Sequence, residues 1–292
     1  MTATASPPNL AAISRPSGGL AMLAVDQREA LRAMMATGGH PVVADAEVTA
    51  FKLAATRALT PYASAVLLDK QFVLDQAIEQ GAVAPDCGLI AAADLFVPGE
   101  HEIVADALID EDVDPAYYAA RGAVAMKLLV IWRPDTDPAV RVNTVRRFVS
   151  RCERVGVLSI IEPLSRPPLG GGEWDWDRGV IAAAQELGHL GTDLYKAEVP
   201  LHGRGTDDEL HARCSVISDS VGCPWVVLSS GVDDDFPRAV RTAMRAGATG
   251  FLAGRAVWRA CLDAADVQLS LERDAVARMR HLCDIVDEEY RS

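Results

Sequence analysis

The chain has 292 residues, of which 50% are hydrophobic and 24% are charged, and its formal net charge is −13. This composition is typical of a folded protein, and the charge argues against general binding to nucleic acid or to an anionic membrane. No apolar run reaches the ~20 residues that a membrane-spanning helix needs, and residues 1–12 lack the cationic start of a signal peptide, so we expect a cytoplasmic protein.

Eight short apolar runs with the composition of strands alternate with segments of helical periodicity. Strands that are apolar throughout are buried on both faces, as in a parallel sheet covered by helices. Eight such units predict a single (β/α)8 barrel, a TIM barrel, over residues 15–292, preceded by a flexible N-terminal extension at 1–14. The runs are GLAMLAVD (19–26), YASAVLLD (62–69), GLIAAAD (88–94), VAMKLLVIW (124–132), GVLSIIEP (156–163), DLYKAEVP (193–200), WVVLSSG (225–231) and GFLAGRA (250–256).

A doubly wound open sheet is the alternative to a barrel. Such a sheet normally carries a G-x-G-x-x-G turn after its first strand, where this chain has VDQRE. The segment 95–115 is too long for an ordinary turn and predicts an elaborated loop at the rim of a site. The glycine- and tryptophan-rich segment 165–179 predicts either a mobile cover over that site or local packing.

The cysteines and histidines do not have the spacing of a metal site. The six cysteines are scattered without a C-x-x-C pair, and the six histidines form no H-x-H or H-E-x-x-H set. We therefore expect reduced cysteines that fill the core, no metal and no cofactor.

Lysine is rare in this chain, which uses arginine for most of its 28 basic positions. An arginine stays protonated at any working pH, whereas a buried amine can lose its proton and attack a ketone carbonyl. Lys127 and Lys196 lie inside the fourth and sixth predicted strands, where burial and mutual repulsion would favour a neutral amine at Lys196. The four lysines are Lys52, Lys70, Lys127 and Lys196.

Carboxylates end four of the predicted strands, at the C-terminal edge where barrel active sites are built. Asp26, followed by Gln27, ends the first strand, and Glu162 ends the fifth, where it is placed to act as an acid/base group. The alternatives are a capping or rim role for Glu162, and a structural ion pair between a strand lysine and one of the interior carboxylates. For Asp69 and Asp94, we favour capping of the following helix over the orientation of a lysine.

Small residues end the seventh and eighth predicted strands, in LSSGVD (228–233) and LAGRAV (252–257). Backbone N–H groups at such positions, together with the positive end of the next helix, are typical of the phosphate site of a barrel. The predicted anion donors are Ser229, Gly231, Gly254 and Arg255.

Several segments together resemble the class I ketose-phosphate aldolases that are related to tagatose-1,6-bisphosphate aldolase. Within this family the chain is most similar to the aldolases of sulfoquinovose degradation, which cleave 6-deoxy-6-sulfofructose 1-phosphate to dihydroxyacetone phosphate and 3-sulfolactaldehyde. The resemblance implies a homo-oligomeric enzyme that acts on a small sugar phosphate or sulfonate. It rests on LAMLAVDQREA, PYASAVLLD, MKLLVIW, SIIEPLSRPP, DLYKAEVPL, PWVVLSSGVD and ATGFLAGRAVW, in order from about Arg15 to the C-terminal helix.

The resemblance also implies roles for individual residues. Lys196, in DLYK, would form the Schiff base with the ketone, and Glu162 would serve as the acid/base group. Asp26, Gln27 and Lys127 would hold the substrate hydroxyls and the precursor of the iminium. The chain departs from the family pattern in the loop after the fifth strand and in its longer N-terminus.

Two other functions remain open from the sequence. One is an aldolase of the tagatose- or fructose-1,6-bisphosphate type, in which the far end of the substrate carries a phosphate of nearly two charges instead of a singly charged sulfonate. Extra cations at that end would favour it, and Arg28, Arg166 and Lys70 are the candidates. The other is a barrel that binds sugar phosphates without catalysis.

Overall fold

The computed structural model describes residues 9–36, 42–229, 231–232 and 235–291. Each of the eight apolar runs overlaps a strand of the barrel, and among the described residues two additional strands, β4 and β5, form a separate two-stranded sheet. The strands are β1 Leu20–Val25, β2 Ala65–Asp69, β3 Gly88–Ala92, β4 Asp94–Val97, β5 Asp106–Ile109, β6 Ala123–Trp132, β7 Leu158–Ser165, β8 Leu194–Glu198, β9 Trp225–Leu228 and β10 Gly250–Ala253.

Helices follow the barrel strands and cover the outside of the sheet. A π-helical turn at Leu271–Ala275 joins the last two α-helices into one long C-terminal helix. Short 3-10 helices are present at Ala11–Ile13, Pro200–Gly203 and Arg259–Asp263. The α-helices are α1 Glu29–Ala36, α2 Asp45–Leu59, α3 Leu74–Glu79, α4 Pro115–Ala119, α5 Pro138–Glu153, α6 Trp176–Leu187, α7 Asp207–Ser220, α8 Phe236–Arg245, α9 Arg255–Trp258, α10 Val267–Ser270 and α11 Val276–Arg291.

The eight barrel strands are parallel and follow the order β1-β10-β9-β8-β7-β6-β3-β2 around a closed ring. The predicted (β/α)8 barrel is therefore confirmed, and the doubly wound sheet is excluded. Alternate strand residues point inward, so the barrel interior is filled by an apolar layer that includes Met22, Leu67, Ile160 and Leu252. The other face of each strand packs against the helices.

The end of the predicted N-terminal extension packs against the barrel. The side chain of Ile13 is wholly buried and belongs to the apolar cluster inside the barrel. Just after it, Arg15 donates hydrogen bonds of 2.9 and 2.7 Å to the carboxylate of Asp287, on α11. Residues 1–8 of the extension lie outside the described residues.

The segment 95–115 contains most of a β-hairpin and ends where α4 begins, whereas an elaborated loop was predicted there. Its strands β4 and β5 are antiparallel, with Phe96 opposite Ala107 and Leu95 opposite Leu108. Phe96 and Ala107 pack toward the barrel mouth, whereas Leu95 and Leu108 are exposed. This two-residue alternation is the pattern of a half-buried hairpin, which the length of the segment concealed.

The segment 165–179 contributes local packing through its two tryptophans. Trp176 begins α6, is almost wholly buried and stacks on the ring of His202, with 3.6 Å between the ring centroids. Trp174 packs against the core between the sheet and the helices. In the part of the chain that the structure describes, no helix has both the length and the apolarity needed to cross a membrane.

Candidate active site

A cavity of about 800 Å³ opens at the C-terminal ends of the barrel strands. Asp26, Glu162 and Lys196 line its floor, and the β4–β5 hairpin contributes Phe96 and Ile103 to its wall. This is the edge of the barrel at which the sequence analysis placed the site.

Strand register brings four of the predicted residues into one layer. Lys127, on β6, pairs in register with Ile160, and Glu162 lies two residues farther along β7. Residues at even spacing share a face, so Glu162 points inward like Ile160, and Lys196 points inward like Leu194 on β8. The four side chains of this layer are Asp26, Lys127, Glu162 and Lys196.

Glu162 lies between the two strand lysines and binds both. Its Oε1 is 2.9 Å from the Nζ of Lys196, and its Oε2 is 3.1 Å from the Nζ of Lys127. The two lysine side chains approach each other as predicted, but the carboxylate of Glu162 lies between them, so each positive charge faces a negative one. Lys196 lines the cavity, whereas Lys127 is wholly buried beneath it.

Lys127 lies within ion-pair distance of three carboxylates and donates a hydrogen bond to one of them, Asp94. Asp26, Asp94 and Glu162 approach its Nζ at 2.8, 2.7 and 3.1 Å. Burial lowers the pKa of Lys127, but the three negative charges outweigh burial and raise that pKa well above its ordinary value. A direct contact with substrate hydroxyls, which the resemblance implied for Lys127, would need one of these carboxylates to move aside.

Asp26 stays ionised in spite of its burial. Burial alone would raise the pKa of Asp26, but the charges of Lys127 and Lys196 outweigh it and hold that pKa well below the usual range. Gln27 follows it on the cavity wall, and its buried side-chain oxygen has no hydrogen-bond partner among the described residues. That oxygen is available to a hydroxyl group of a ligand.

Asp69 and Asp94 both bind a lysine, so the preference for helix capping was wrong for Asp94, whereas Asp69 fills both roles. Asp94 binds Lys127, and Asp69 binds Lys52 in a wholly buried ion pair. Asp69 does accept the N–H of Phe72, at 2.9 Å, as a capping residue would. At this second pair burial is the larger effect, because it lowers the pKa of Lys52 and raises that of Asp69.

The ends of β9 and β10 form one side of the cavity, as the anion prediction required. Ser229, Gly254 and Arg255 line it, whereas Gly231 is exposed and lies outside the set of lining residues. A Cβ atom at Gly254 would come within 2.1 Å of the carbonyl oxygen of Ala24, so only glycine fits there.

Two arginines on this side carry charges that are not neutralised. Arg255 and Arg259 both line the cavity, and neither has an ion-pair or hydrogen-bond partner within the described residues. The sequence analysis missed Arg259, which follows Arg255 by one helical turn on the same face. We refer to Ser229, Gly254, Arg255 and Arg259 as the anion side of the cavity.

Two further arginines of the cavity face carboxylates near the hairpin; Arg28 reaches this region from the loop after β1, which neighbours β10, and Arg166 follows β7. Arg28 donates to Asp94 at 2.6 Å and stacks on the ring of Phe96, and Arg166 lies 3.8 Å from the buried carboxylate of Glu198. We refer to Arg28, Phe96, Arg166 and Glu198 as the hairpin side.

Lys70, the third cation proposed for the far end of the substrate, lies outside this cavity. It donates a hydrogen bond of 2.9 Å to the backbone carbonyl of Asp112. No group of three or more histidine, cysteine or carboxylate side chains that could hold a metal ion exists among the described residues.

The floor of the cavity thus combines a lysine with a carboxylate in direct contact, and a family model matches the same part of the chain. The model of DeoC/LacD family aldolases covers residues 20–260. This chain belongs to the DeoC/LacD family of aldolases. It is a class I aldolase, a carbon–carbon lyase, on the fold that such enzymes share.

Curated relatives of this chain are also named as aldolases. Tagatose 1,6-diphosphate aldolase 1 of Enterococcus faecalis is 30% identical over 82% of this chain and 80% of its own length. Tagatose 1,6-diphosphate aldolase 2 of Streptococcus mutans is 27% identical over 94% of this chain and 88% of its own length.

Solved structures of other aldolases share the fold at low identity. An archaeal fructose 1,6-bisphosphate aldolase superposes with a TM-score of 0.65 and 17% identity, over 96% of this chain and 98% of the other. In a second archaeal structure, a fructose-1,6-bisphosphate aldolase, the catalytic lysine is covalently bound to the carbinolamine intermediate of the substrate. It superposes with a TM-score of 0.60 and 16% identity, over 95% of this chain and 98% of the other. At these identities the likeness shows the barrel fold alone.

Proposed function

We propose that this aldolase cleaves 6-deoxy-6-sulfofructose 1-phosphate to dihydroxyacetone phosphate and 3-sulfolactaldehyde, with Lys196 as the Schiff-base residue. The observation that carries the chemistry is the 2.9 Å contact between Lys196 and Glu162 at the floor of the cavity. An amine beside a carboxylate can pass its proton across that contact and become a nucleophile.

Formation of the Schiff base needs one proton to move from Lys196 to Glu162 and then from Glu162 to the departing hydroxyl group. Lys196 gives a proton to Glu162, and its neutral nitrogen then attacks the ketone carbon to form a carbinolamine. Glu162 returns that proton to the departing hydroxyl, which leaves as water, and the iminium keeps one positive charge. This charge is the electron sink for the next step, and it replaces the ammonium charge that the site already balances.

The bond between C3 and C4 of the ketose breaks when the C4 hydroxyl loses its proton. Glu162 has become a carboxylate again and can accept that proton, while the bonding electrons move into the iminium to give an enamine. The aldehyde leaves, the enamine takes up a proton at C3, and water releases dihydroxyacetone phosphate and free Lys196. Gln27 and Asp26 also line the cavity, and we assign to them the binding of substrate hydroxyl groups.

The charges of the two sides of the cavity support a substrate with unequal anions. The anion side offers two unpaired guanidinium groups, Arg255 and Arg259, which suit a phosphate of nearly two negative charges. On the hairpin side the charges of Arg28 and Arg166 are offset by Asp94 and Glu198, which suits a singly charged sulfonate. We therefore assign the 1-phosphate to the anion side and the sulfonate to the hairpin side.

A bisphosphate-type aldolase is the second candidate function. It is favoured by the curated relatives, which are tagatose 1,6-diphosphate aldolases with up to 30% identity to this chain. The two candidates share all the chemistry at Lys196 and differ only in the group bound on the hairpin side.

Competition between substrates separates the two candidates. Purified enzyme is given an equimolar mixture of 6-deoxy-6-sulfofructose 1-phosphate and tagatose 1,6-bisphosphate, and both cleavage rates are followed by NMR. We expect the sulfonate to be cleaved at least about 10-fold faster, which corresponds to ~1.4 kcal/mol. Faster cleavage of the bisphosphate would overturn the substrate assignment and leave the chemistry intact.

Borohydride trapping tests the residue assignment independently of the substrate. Reduction in the presence of dihydroxyacetone phosphate is expected to give one stable adduct by intact mass, on the peptide that contains Lys196. Lys196→Arg keeps the positive charge and cannot form a Schiff base, so we expect no adduct and a loss of turnover of at least about 10⁴-fold. An adduct on another peptide would contradict the assignment. A homo-oligomeric state and a cytoplasmic location remain predictions of the sequence.

A further inference from the structure

The buried ion pair of Arg28 and Asp94 takes no part in the proton transfers proposed above, although it touches the catalytic layer. Asp94 is wholly buried and lies outside the set of residues that line the cavity. It accepts hydrogen bonds from Lys127 at 2.7 Å, from Arg28 at 2.6 Å and from the backbone N–H of Leu129 at 3.0 Å.

We propose that Asp94, oriented by Arg28, is a positioning residue that aims the ammonium group of Lys127 at Glu162 and so fixes which oxygen of Glu162 faces Lys196. This inference rests on the roles proposed for Lys196 and Glu162.

The geometry of Lys127 supports this role. An ammonium group has three protons, and the three carboxylates within 3.1 Å of the Nζ are Asp26, Asp94 and Glu162. Asp94 is the one of the three that lies farthest from the cavity, since the other two line its floor. It therefore serves as the fixed point from which Lys127 reaches toward the two groups that meet the substrate.

Lys127 in turn orients the carboxylate of Glu162. Oε2 of Glu162 lies 3.1 Å from the Nζ of Lys127, an ion-pair contact outside hydrogen-bond geometry, while the other oxygen, Oε1, lies 2.9 Å from the Nζ of Lys196. Without that hold, the Glu162 side chain could rotate about its last bond and exchange its two oxygens. Proton transfer depends on a short and fixed donor–acceptor contact, so looser placement would slow each step that uses Glu162.

The charges of this group also balance. Three cations alternate with three anions along the contacts, so every charge faces at least one opposite charge at hydrogen-bonding distance. The loss of the Asp94 charge would leave Arg28 and Lys127 sharing a buried region with one anion fewer. The members are Arg28, Lys127, Lys196, Asp26, Asp94 and Glu162.

A double-mutant cycle tests the proposal through the first half of the reaction. The probe is dihydroxyacetone phosphate in D₂O, whose C3 proton exchanges for deuterium each time an enamine forms and is reprotonated, and ¹H NMR follows the exchange. Asp94→Asn keeps the shape of the side chain and removes its charge. We expect the maximal exchange rate to fall about 100-fold and the KM to change less than ~3-fold, because Asp94 does not line the cavity.

The second half of the cycle places Asp94→Asn in a Lys127→Met background. If Asp94 acts through Lys127, the double variant should be within ~3-fold of Lys127→Met alone, because the group that Asp94 positions is already gone. Effects that multiply, or an Asp94→Asn enzyme that exchanges like the wild type, would overturn the proposal. Wild-type enzyme that neither exchanges the proton nor gives a trapped adduct would instead count against the proposed function.

A second variant protects the test against misfolding. If circular dichroism shows that Asp94→Asn is unfolded, the same cycle is run with Arg28→Gln, which leaves Asp94 in place and removes the cation that orients it. We expect a fall of about 10-fold in the exchange rate in the wild-type background, and no further loss in the Lys127→Met background. A fall of equal size in both backgrounds would contradict the proposal.

Discussion

The two sides of the active-site cavity contain the same type of residue in opposite electrostatic states. On the anion side, Arg255 and Arg259 have no partner within the described residues, so their full positive charge faces the cavity. On the hairpin side, Arg28 and Arg166 each face a buried carboxylate, at 2.6 and 3.8 Å, which offsets part of their positive charge. A count of arginines alone would make the two sides equal.

The difference shows that the partners of a cation decide which anion it can select. A guanidinium group that already binds a carboxylate can still donate hydrogen bonds, but it adds little net attraction for a second dianion. A sulfonate needs less charge than a phosphate and still accepts those hydrogen bonds. The hairpin side is therefore suited to discriminate between the two groups, whereas the anion side is suited to bind phosphate strongly.

The largest fall in kcat/KM should follow the loss of an unpaired arginine on the anion side. We expect Arg255→Met to lower kcat/KM about 100-fold, roughly 3 kcal/mol, because a phosphate would lose a charge-assisted contact in a partly buried site. The loss should be equal for the sulfonate and the bisphosphate substrates, since both carry the 1-phosphate. Steady-state kinetics with both substrates measures it, and Arg273→Met, at an exposed arginine that does not line the cavity, is the matched control. A loss confined to one substrate would show that the sides are assigned the wrong way around.

A smaller and selective effect is expected on the hairpin side. Arg166→Met removes a half-buried donor whose charge Glu198 already offsets, so we expect kcat/KM for the sulfonate to fall about 10-fold. A truncated ketose phosphate without an anion at its far end should be cleaved at an unchanged rate. Equal losses with the truncated and the full substrate would place Arg166 outside the substrate contact.

Removal of the Glu198 carboxylate, which faces Arg166, should favour the bisphosphate substrate over the sulfonate. In the wild-type protein, Glu198 accepts a hydrogen bond of 2.7 Å from the backbone N–H of Ser165. Glu198→Gln keeps an oxygen that can accept this bond but removes the negative charge that faces Arg166. We expect the rate for the bisphosphate to improve by about 5-fold relative to the sulfonate, because a dianion gains more from added positive charge. Competition assays measure this ratio directly. A shift toward the sulfonate would contradict the charge argument.

The sequence was sufficient to predict the parts of this molecule that depend on local pattern. Eight continuous apolar runs identified the barrel strands, because burial on both faces removes the polar alternation of an exposed strand. The positions of Lys127 and Lys196 within their strands predicted that both enter the barrel, and the position of Glu162 at a strand end predicted that it lies at the barrel mouth. A lysine-poor composition drew attention to the strand lysines. These inferences needed no knowledge of distant contacts.

The parts that failed depend on which side chains meet in space. Asp94 and Lys127 are 33 residues apart and belong to different strands, so no local spacing shows that they form a pair. The same reason explains why a lysine partner was not favoured for Asp69, whose partner Lys52 lies on α2. The balanced state of Arg166 depends on Glu198, on the neighbouring strand β8, and only the barrel register brings the two together.

The smallest predicted effect compares the two substrates at different pH values without any mutation. A sulfonate keeps a single charge at all accessible pH values, whereas a phosphate ester loses its second charge as the pH falls through about 6. Below that pH the far phosphate of the bisphosphate is a monoanion like the sulfonate, so the hairpin side should distinguish them less. The preference for the sulfonate in a competition assay should therefore shrink by about 3-fold between pH 8 and pH 5.5. Both substrates are cleaved by the same enzyme and carry the same 1-phosphate, so effects of pH on the protein and on the anion side cancel in the ratio of the two cleavage rates. A preference for the sulfonate that grows at low pH would show that charge is not the basis of the preference.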